Sequence, residues 1–144
     1  MKKLVAIILF VTLVIGFTGV ASADEWEIMG SNDERTLFFD KQSFQKTSSE
    51  TYVVWVKWEY IEAYGKKVAN ENGYSRPVFQ ELTMLEFDYY NKKTKMKSRI
   101  FYDKKGEVLY SSEDHDVKWE NLIPNTIGNR IFDITYDYYK KHYK

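Results

Sequence analysis

Residues that could act as acids, bases or metal ligands are few in this chain. The densest group, Glu113-Asp114-His115-Asp116, combines carboxylates with an imidazole, and these are the metal ligands that remain when cysteine is absent. Adjacent residues of one loop seldom point at a single ion. A solvated acidic turn therefore explains this run better than a metal site does.

A catalytic site would need an acid and a base, or a nucleophile and a base, that meet in one pocket. The sequence contains no cysteine and two histidines, His115 and His142, and the second lies near the chain end. Ser43, Ser111 and Ser112 have no evident base, and no segment matches a nucleophile elbow, a phosphate-binding loop or a zinc-binding helix. The sequence predicts a non-enzymatic protein that needs no cofactor.

Positive charge is concentrated on one predicted hairpin, in Lys92, Lys93, Lys95, Lys97, Arg99, Lys104 and Lys105. Such a patch could bind a glycan, a cell-wall polymer or a phospholipid headgroup, so contact with a membrane surface stays open. Lysines also keep the edges of sheets from pairing with one another, and we favour this second explanation. Lys92, Lys93 and Lys95 nevertheless stay candidate binding residues. With 21 basic and 21 acidic residues, the chain has no overall field that favours nucleic acid.

Aromatic residues make up 17% of the chain and suggest a different kind of site. Several tyrosines lie in or beside predicted loops or near the chain end, where a core does not easily absorb them: Tyr60, Tyr64, Tyr74, Tyr90, Tyr139 and Tyr143. Exposed tyrosines suit binding surfaces because they combine a large apolar area with a polar tip, although scattered half-buried tyrosines are also normal. We take Tyr60, Tyr64 and Tyr74 as candidate binding residues.

The strand at Thr51–Ile61 (TYVVWVKWEYI) is the element around which the rest is organised. Its first half is apolar on both faces, and alternation begins at Val56. Further strands are predicted at 24–29, 36–39, 78–90, 95–102 and 107–112. The residues 62–76 between two of these strands form the longest irregular stretch, of the kind that is usually functional or mobile.

A helix is predicted from a cap at Asn125 or Thr126 to about His142. One stripe of this helix is expected to be core and contains Ile127, Ile131, Ile134 and Tyr138. A second stripe could pack or could form a homodimer seam, and contains Phe132, Tyr136, Tyr139 and Tyr143. The predicted fold class is α+β, an antiparallel β-meander of about six strands with one C-terminal helix packed on the sheet.

The N-terminus has the pattern of a secretory signal peptide. Lys2 and Lys3 precede the apolar run Leu4–Phe17, and Ala21-Ser22-Ala23 supplies a cleavage pattern. Residues 1–23 are predicted to be the signal peptide and residues 24–144 a single domain, in the periplasm, at the cell surface or outside the cell. An uncleaved anchor is the weaker alternative. Cleavage would leave 19 basic and 21 acidic residues, a net charge of −2.

The order of short motifs resembles that of the surface-adhesin protein E-like family of exported bacterial proteins. The motifs that carry the resemblance are Trp26, Leu37–Asp40 before Ser43, Val53–Lys57, Leu85–Asp88, Phe101–Asp103 before Gly106, Ser111-Ser112, and Trp119 ahead of Ile123-Pro124 and Gly128. The founding member of that family is an adhesin that binds host matrix and serum proteins, so the resemblance implies adhesion. Members of that family commonly carry two cysteines, which look like a disulfide pair, where this chain has Tyr89 and about Tyr136. The resemblance therefore implies that two aromatic side chains pack in place of a disulfide.

Three functions are compatible with these observations. The first is an exported, adhesin-like protein that recognises a host or envelope macromolecule, a protein or a polymer, through a sheet face, residues 62–76 and the nearby tyrosines. The second is a periplasmic accessory protein or inhibitor that blocks a partner enzyme with a protruding loop. The third is a carrier of a small molecule or lipid, which predicts a large apolar pocket between the Ile127 stripe and the sheet. An adhesin instead predicts a solid core and an exposed aromatic patch.

Overall fold

The computed structural model of the chain describes residues 25–114 and 117–144. The predicted signal peptide lies outside the described residues, as do His115 and Asp116 of the acidic loop. The strands are β1 (Trp26–Ser31), β2 (Arg35–Asp40), β3 (Gln45–Lys46), β4 (Thr51–Tyr60), β5 (Gln80–Asp88), β6 (Lys93–Tyr102), β7 (Val108–Glu113) and β8 (Glu120–Asn121). The helices are α1 (Glu62–Asn72) and α2 (Ile127–His142).

The strands form one antiparallel sheet of eight strands in the order β1-β2-β4-β5-β6-β7, with β3 beside β4 and β8 beside β6. The predicted α+β fold class and meander are thereby confirmed, including the C-terminal helix. The two strands beyond the expected six are β3 and β8, each of two residues. Pairs this short leave almost no alternation in a sequence, so pattern alone does not find them.

Strand β4 lies within the sheet between β2 and β5, as its composition predicts. Tyr52, Val53 and Val54 are all buried, so the start of the strand is covered on both faces. Alternation then places Val56 on the face that the helices cover and Lys57 on the opposite face. We call the first of these the helix face of the sheet and the second the open face.

Helix α2 covers the helix face and closes the main core. Its buried residues Ile131, Phe132 and Tyr139 pack with aromatic side chains of the sheet and its loops, namely Phe39, Phe44, Tyr52 and Phe87. Thr126 caps the helix by accepting a hydrogen bond from the Asn129 N–H, as predicted.

The helix is rotated slightly from the expected orientation, because its buried face lies between the two predicted stripes. Ile127, expected in the core, is 45% exposed. Tyr139, expected near the surface, is buried and stacks on Tyr52 with ring centroids 4.5 Å apart. Phe132 and Tyr139 pack inside the molecule, and for these two residues the homodimer seam is a wrong prediction.

Helix α1 corrects the prediction that residues 62–76 are irregular. Gly65 resembles a helix breaker in the sequence, but it is the point where the helix crosses the backbone of Val78. A Cβ at Gly65 would lie 2.0 Å from the Val78 carbonyl oxygen. Gly73 then ends the helix in a left-handed conformation, with φ 73°. Both glycines are therefore part of the helix or its end. The need for a glycine at position 65 follows only from the tertiary contact with Val78.

Candidate functional site

The candidate tyrosines lie around the start and end of α1, but Tyr60 is a core residue. The Tyr60 ring packs against Tyr64 with centroids 5.2 Å apart, and its hydroxyl donates to the carboxylate of Glu81. Burial, with the nearby Glu81 charge, raises the pKa of Tyr60. The expectation that Tyr60 is exposed is wrong. The sequence did contain a sign of this burial. Val56, Trp58 and Tyr60 alternate along β4, so Tyr60 continues the helix face of the strand.

Tyr64 and Tyr74 are both half-buried on the helix face. The guanidinium of Arg35 lies 5.6 Å from the Tyr64 ring. The Tyr74 ring contacts Phe101 and Tyr110, with centroids 5.8 and 6.3 Å away. Each tyrosine therefore has partners within the fold while keeping part of its ring accessible.

The candidate lysines lie at the other end of the sheet. Strand β6 begins at Lys93 and ends at Tyr102, which pairs with Gln80 close to α1. Ten strand residues span about 30 Å, so the structure does not bring the lysines and the tyrosines together. The Nζ of Lys92 lies 4.4 Å from the Phe132 ring centroid, so Lys92 contacts the first half of α2.

Several cations of the basic hairpin neutralise buried carboxylates. The Nζ of Lys95 lies 3.1 Å from a carboxylate oxygen of Glu86. The Nζ of Lys97 lies 3.7 Å from the same oxygen. Arg99 Nε donates to Glu81 at 2.7 Å. Glu81 and Glu86 are both buried, and their burial was missed because isolated glutamates in a strand normally indicate a solvated face. Part of the basic patch is therefore structural.

A cleft opens where α1 begins, between residues 76–79 and the turn that joins β6 to β7. Its volume is about 660 Å³. Ile61 is 49% exposed and Phe79 41% exposed, and both contribute apolar surface together with Pro77. Lys104 and Lys105, both exposed, stand at its rim.

Ion pairs fix one wall of this cleft. The guanidinium of Arg76 bonds to the carboxylates of both Asp103 and Glu107. Asp103 also accepts the backbone N–H groups of Lys105 and Glu107, each at 2.9 Å. Although burial opposes the shift, these hydrogen bonds and Arg76 lower the pKa of Asp103. The wall is thus ordered, and its acidic groups are already paired.

The open face of the sheet carries a second aromatic surface. The Nζ of Lys57 lies 4.4 Å from the Phe38 ring centroid and 4.8 Å from that of Trp26. Trp55 is half-buried on the same face, because it alternates with Val54 and Val56 of the helix face. Both helices pack on the other face. The Trp26–Phe38–Trp55 surface is therefore accessible.

Two of the residues considered for chemistry, Ser43 and His142, have structural contacts. Ser43 Oγ donates to the Asp40 carbonyl and accepts from the Trp55 N–H, each at 2.9 Å. The His142 ring stacks on Tyr138. Within residues 25–114 and 117–144, no group of three or more His, Cys, Asp or Glu could hold a metal ion. None of the helices in this part of the chain is long and apolar enough to cross a membrane.

Comparison with known proteins identifies a family. A family model described as surface-adhesin protein E matches residues 26–135, which is more than half of the chain. No curated protein matches this chain. The matched range runs from the start of β1 into α2 and includes both the cleft and the open face.

Proposed function

Because the chain belongs to the surface-adhesin protein E family, we propose that it is an exported, non-enzymatic adhesin that binds a protein partner through the cleft at the start of α1. The observation that best supports this proposal is the exposure of Ile61 and Phe79 in a cleft whose wall is held by ion pairs. Apolar side chains seated in such recesses supply most of the binding energy of protein interfaces. Lys104 and Lys105 at the rim favour a partner segment with acidic residues beside an apolar one.

Tyr64 and Tyr74 belong to this proposal as contacts beside the cleft. They lie in and just after α1, whose first residues form the cleft wall. Lys92, Lys93 and Lys95 lie about 30 Å away along β6. These lysines would make a separate contact with an acidic stretch of the host or envelope partner.

The other two functions have less support. An inhibitor that blocks an enzyme was expected to use a protruding loop, but residues 62–72 form a helix whose Gly65 packs on Val78. A carrier was expected to enclose a large apolar pocket under α2. Buried aromatic side chains, among them Phe39, Phe87 and Phe132, fill the core under α2. The recess that stays open beside Ile127, Ile131 and Ile134 measures about 160 Å³, which is smaller than the pockets that usually hold such ligands. A solid core with exposed apolar surface elsewhere is what an adhesin predicts.

A capture experiment tests the proposal. The purified protein is immobilised and exposed to host matrix proteins and, in parallel, to envelope extract of the producing cell. Phe79→Ala and the double variant Lys104→Glu/Lys105→Glu are compared with Tyr90→Ala, which removes a ring that is 73% exposed at another turn. We expect at least about tenfold weaker capture of a host protein by the first two variants only. Equal capture by all variants would exclude the cleft, and capture of one envelope enzyme alone would favour the accessory function.

A further inference from the structure

A second recess lies on the helix face of the sheet, between the turn that joins β1 to β2 and the first half of α2. We propose that this recess binds a carboxylate attached to an apolar group, held between the guanidinium groups of Arg35 and Arg130. The proposal does not depend on the cleft described above, because the two sites share none of their lining residues.

Arg35 is fixed in place but keeps unused hydrogen-bond donors. Its guanidinium lies 4.8 Å from the Trp58 ring centroid and is also close to Tyr64. The Nε of Arg35 is buried and has no hydrogen-bond partner. A buried donor of a charged group is costly when unpaired. Among the described residues, no carboxylate lies within the 4.0 Å of Arg35 that an ion pair requires, so the charge of this guanidinium has no fixed counter-ion at the recess that it lines.

Arg130 approaches the same recess from the opposite wall. A Cβ placed on Gly30 would lie 3.7 Å from Arg130 Nη2, so the guanidinium rests against the irregular end of β1. Both Arg130 and Gly30 line the recess together with Arg35. Two arginines that face one recess offer forked donors suited to a carboxylate.

The position of Arg130 in α2 also favours an anion. It is the fourth residue of the helix, whose first turn contains no acidic residue. The N-terminal end of a helix is electropositive, so a cation placed there is unfavourable unless a negative charge lies nearby. Asp133, one turn further on, accepts a hydrogen bond from the Asn129 side-chain amide at 3.0 Å instead. Among the described residues, no carboxylate lies within the 4.0 Å of the Arg130 guanidinium that an ion pair requires, so this cation has no ion-pair partner in the fold.

The walls of the recess determine the rest of the ligand. The recess measures about 160 Å³ and is lined by Met29, Leu37, Trp58, Ile131 and Ile134 besides its polar residues. A cavity of about 150 Å³ is enough for a benzene ring. Ile127, 45% exposed at the mouth, adds apolar surface. A carboxylate on an aromatic or branched aliphatic group fits this combination better than a fully hydrated inorganic anion.

Calorimetric titration of the purified protein tests this site. Phenylacetate serves as the probe, and phenylacetamide, which has the same shape without the charge, is its control. Arg130→Gln is the principal variant because Arg130 is exposed and its loss should leave the core intact. Lys141→Gln, an exposed residue at the other end of α2, is the matched control.

We expect phenylacetate to bind at least about tenfold more tightly than the amide, and Arg130→Gln to remove most of this difference. Lys141→Gln should bind like the wild type, and affinity should fall with added salt. Equal affinity for acid and amide, an unchanged affinity of Arg130→Gln, or no binding of phenylacetate below about 20 mM would each overturn the proposal. Loss of partner capture by the cleft variants would not alter any of these results.

Two sources of the carboxylate remain to be separated, a free organic acid and the end of a protein chain. Acetyl-Gly-Gly-Phe with a free carboxyl group is compared with its amidated form in the same titration. Tighter binding of the peptide acid than of phenylacetate supports a chain end as the natural ligand. Weaker binding of the peptide acid, while phenylacetate still binds, supports a free acid.

Discussion

The rings of Tyr89 and Tyr136 stack with their centroids 5.0 Å apart and their planes inclined by 18°. These are the two positions at which the family resemblance implies a pair of cysteines. Tyr136 also stacks on Phe132, and Lys144 Nζ lies 4.4 Å from the Tyr89 ring centroid. The expectation that aromatic side chains pack here is confirmed. The connection between the end of β5 and α2 is made by buried surface instead of a covalent bond.

Removing one ring of this stack should measure its contribution. We expect Tyr136→Ala to lower the free energy of unfolding by about 2 kcal/mol, since a half-buried aromatic loses less than a fully buried one. Tyr90→Ala, at a solvent-facing position close by, should change it by less than about 0.5 kcal/mol. Urea titrations followed by circular dichroism supply both values. Similar values for the two variants would mean that the stack adds nothing to stability.

The contact between Gly65 and Val78 gives a second prediction. A Cβ at Gly65 would lie 2.0 Å from the Val78 carbonyl oxygen, so Gly65→Ala must displace α1 or residue 78. We expect a loss of about 3 kcal/mol. Gly128→Ala is the matched control, because its Cβ meets nothing nearer than 3.9 Å and alanine is the better helix former. That variant should be as stable as the wild type or up to about 1 kcal/mol more stable. If Gly65→Ala has the same free energy of unfolding as the wild type, α1 packs against Val78 less closely than this distance implies.

The buried carboxylate of Glu86 predicts a dependence of stability on pH. Burial opposes its ionisation, but the Thr47 hydroxyl at 2.7 Å and the Lys95 and Lys97 ammonium groups outweigh burial and lower the pKa of Glu86. A carboxyl whose pKa is lower in the folded state stabilises the fold above its unfolded pKa, here about 4.5. This stabilisation is lost as the pH falls through the folded value.

The corresponding experiment compares the wild type with Glu86→Gln at pH 7 and pH 3. The variant should be the less stable protein at pH 7. The difference in the free energy of unfolding should narrow towards pH 3, because protonation of the wild-type carboxyl progressively removes its ion pairs. Equal gaps at the two pH values would show that Glu86 titrates normally in the fold. Glu107→Gln, which changes an exposed carboxylate whose partner Arg76 is itself exposed, is the control and should show a smaller change.

Export and cleavage remain a prediction, which a mass measurement checks. If the segment 1–23 is a signal peptide, the exported protein should begin at Asp24 and lack both Lys2 and Lys3. Intact mass spectrometry of the protein recovered from the envelope or the medium distinguishes this product from the full chain. A retained N-terminus would instead indicate an uncleaved anchor.

The elements that were predictable are those whose apolar period is long and regular. Strand β4 and helix α2 are of this kind, and the cap at Thr126 was readable from local chemistry. Helix α1 was not predictable, because Gly65 and its asparagines favour a loop until the contact with Val78 is known. The long-range contacts decide such a segment, and a sequence does not display them.

The candidate site was predictable only in part. Residues 62–76 were singled out from the sequence, and the cleft opens at their two ends. Ile61 and Phe79, which form its apolar surface, were overlooked. The paired arginines Arg35 and Arg130 are far apart in sequence, and nothing local relates them. Only the packing of α2 across the β1–β2 turn brings their guanidinium groups to one recess.

The order of the strands has a consequence for how the chain reaches its folded state. Each long strand pairs with the long strand that comes next in the sequence, and the longest connection between two such strands is residues 61–79, which contain α1. Contacts between neighbouring parts of the sequence close at low entropic cost. A chain that emerges from an export channel N-terminus first can therefore fold progressively. The sequence has no cysteine, so folding needs no oxidant and the product is indifferent to reductants. The sheet residues of the main core, Tyr52 and Phe87 among them, must wait for α2, the last element to arrive, before they are covered.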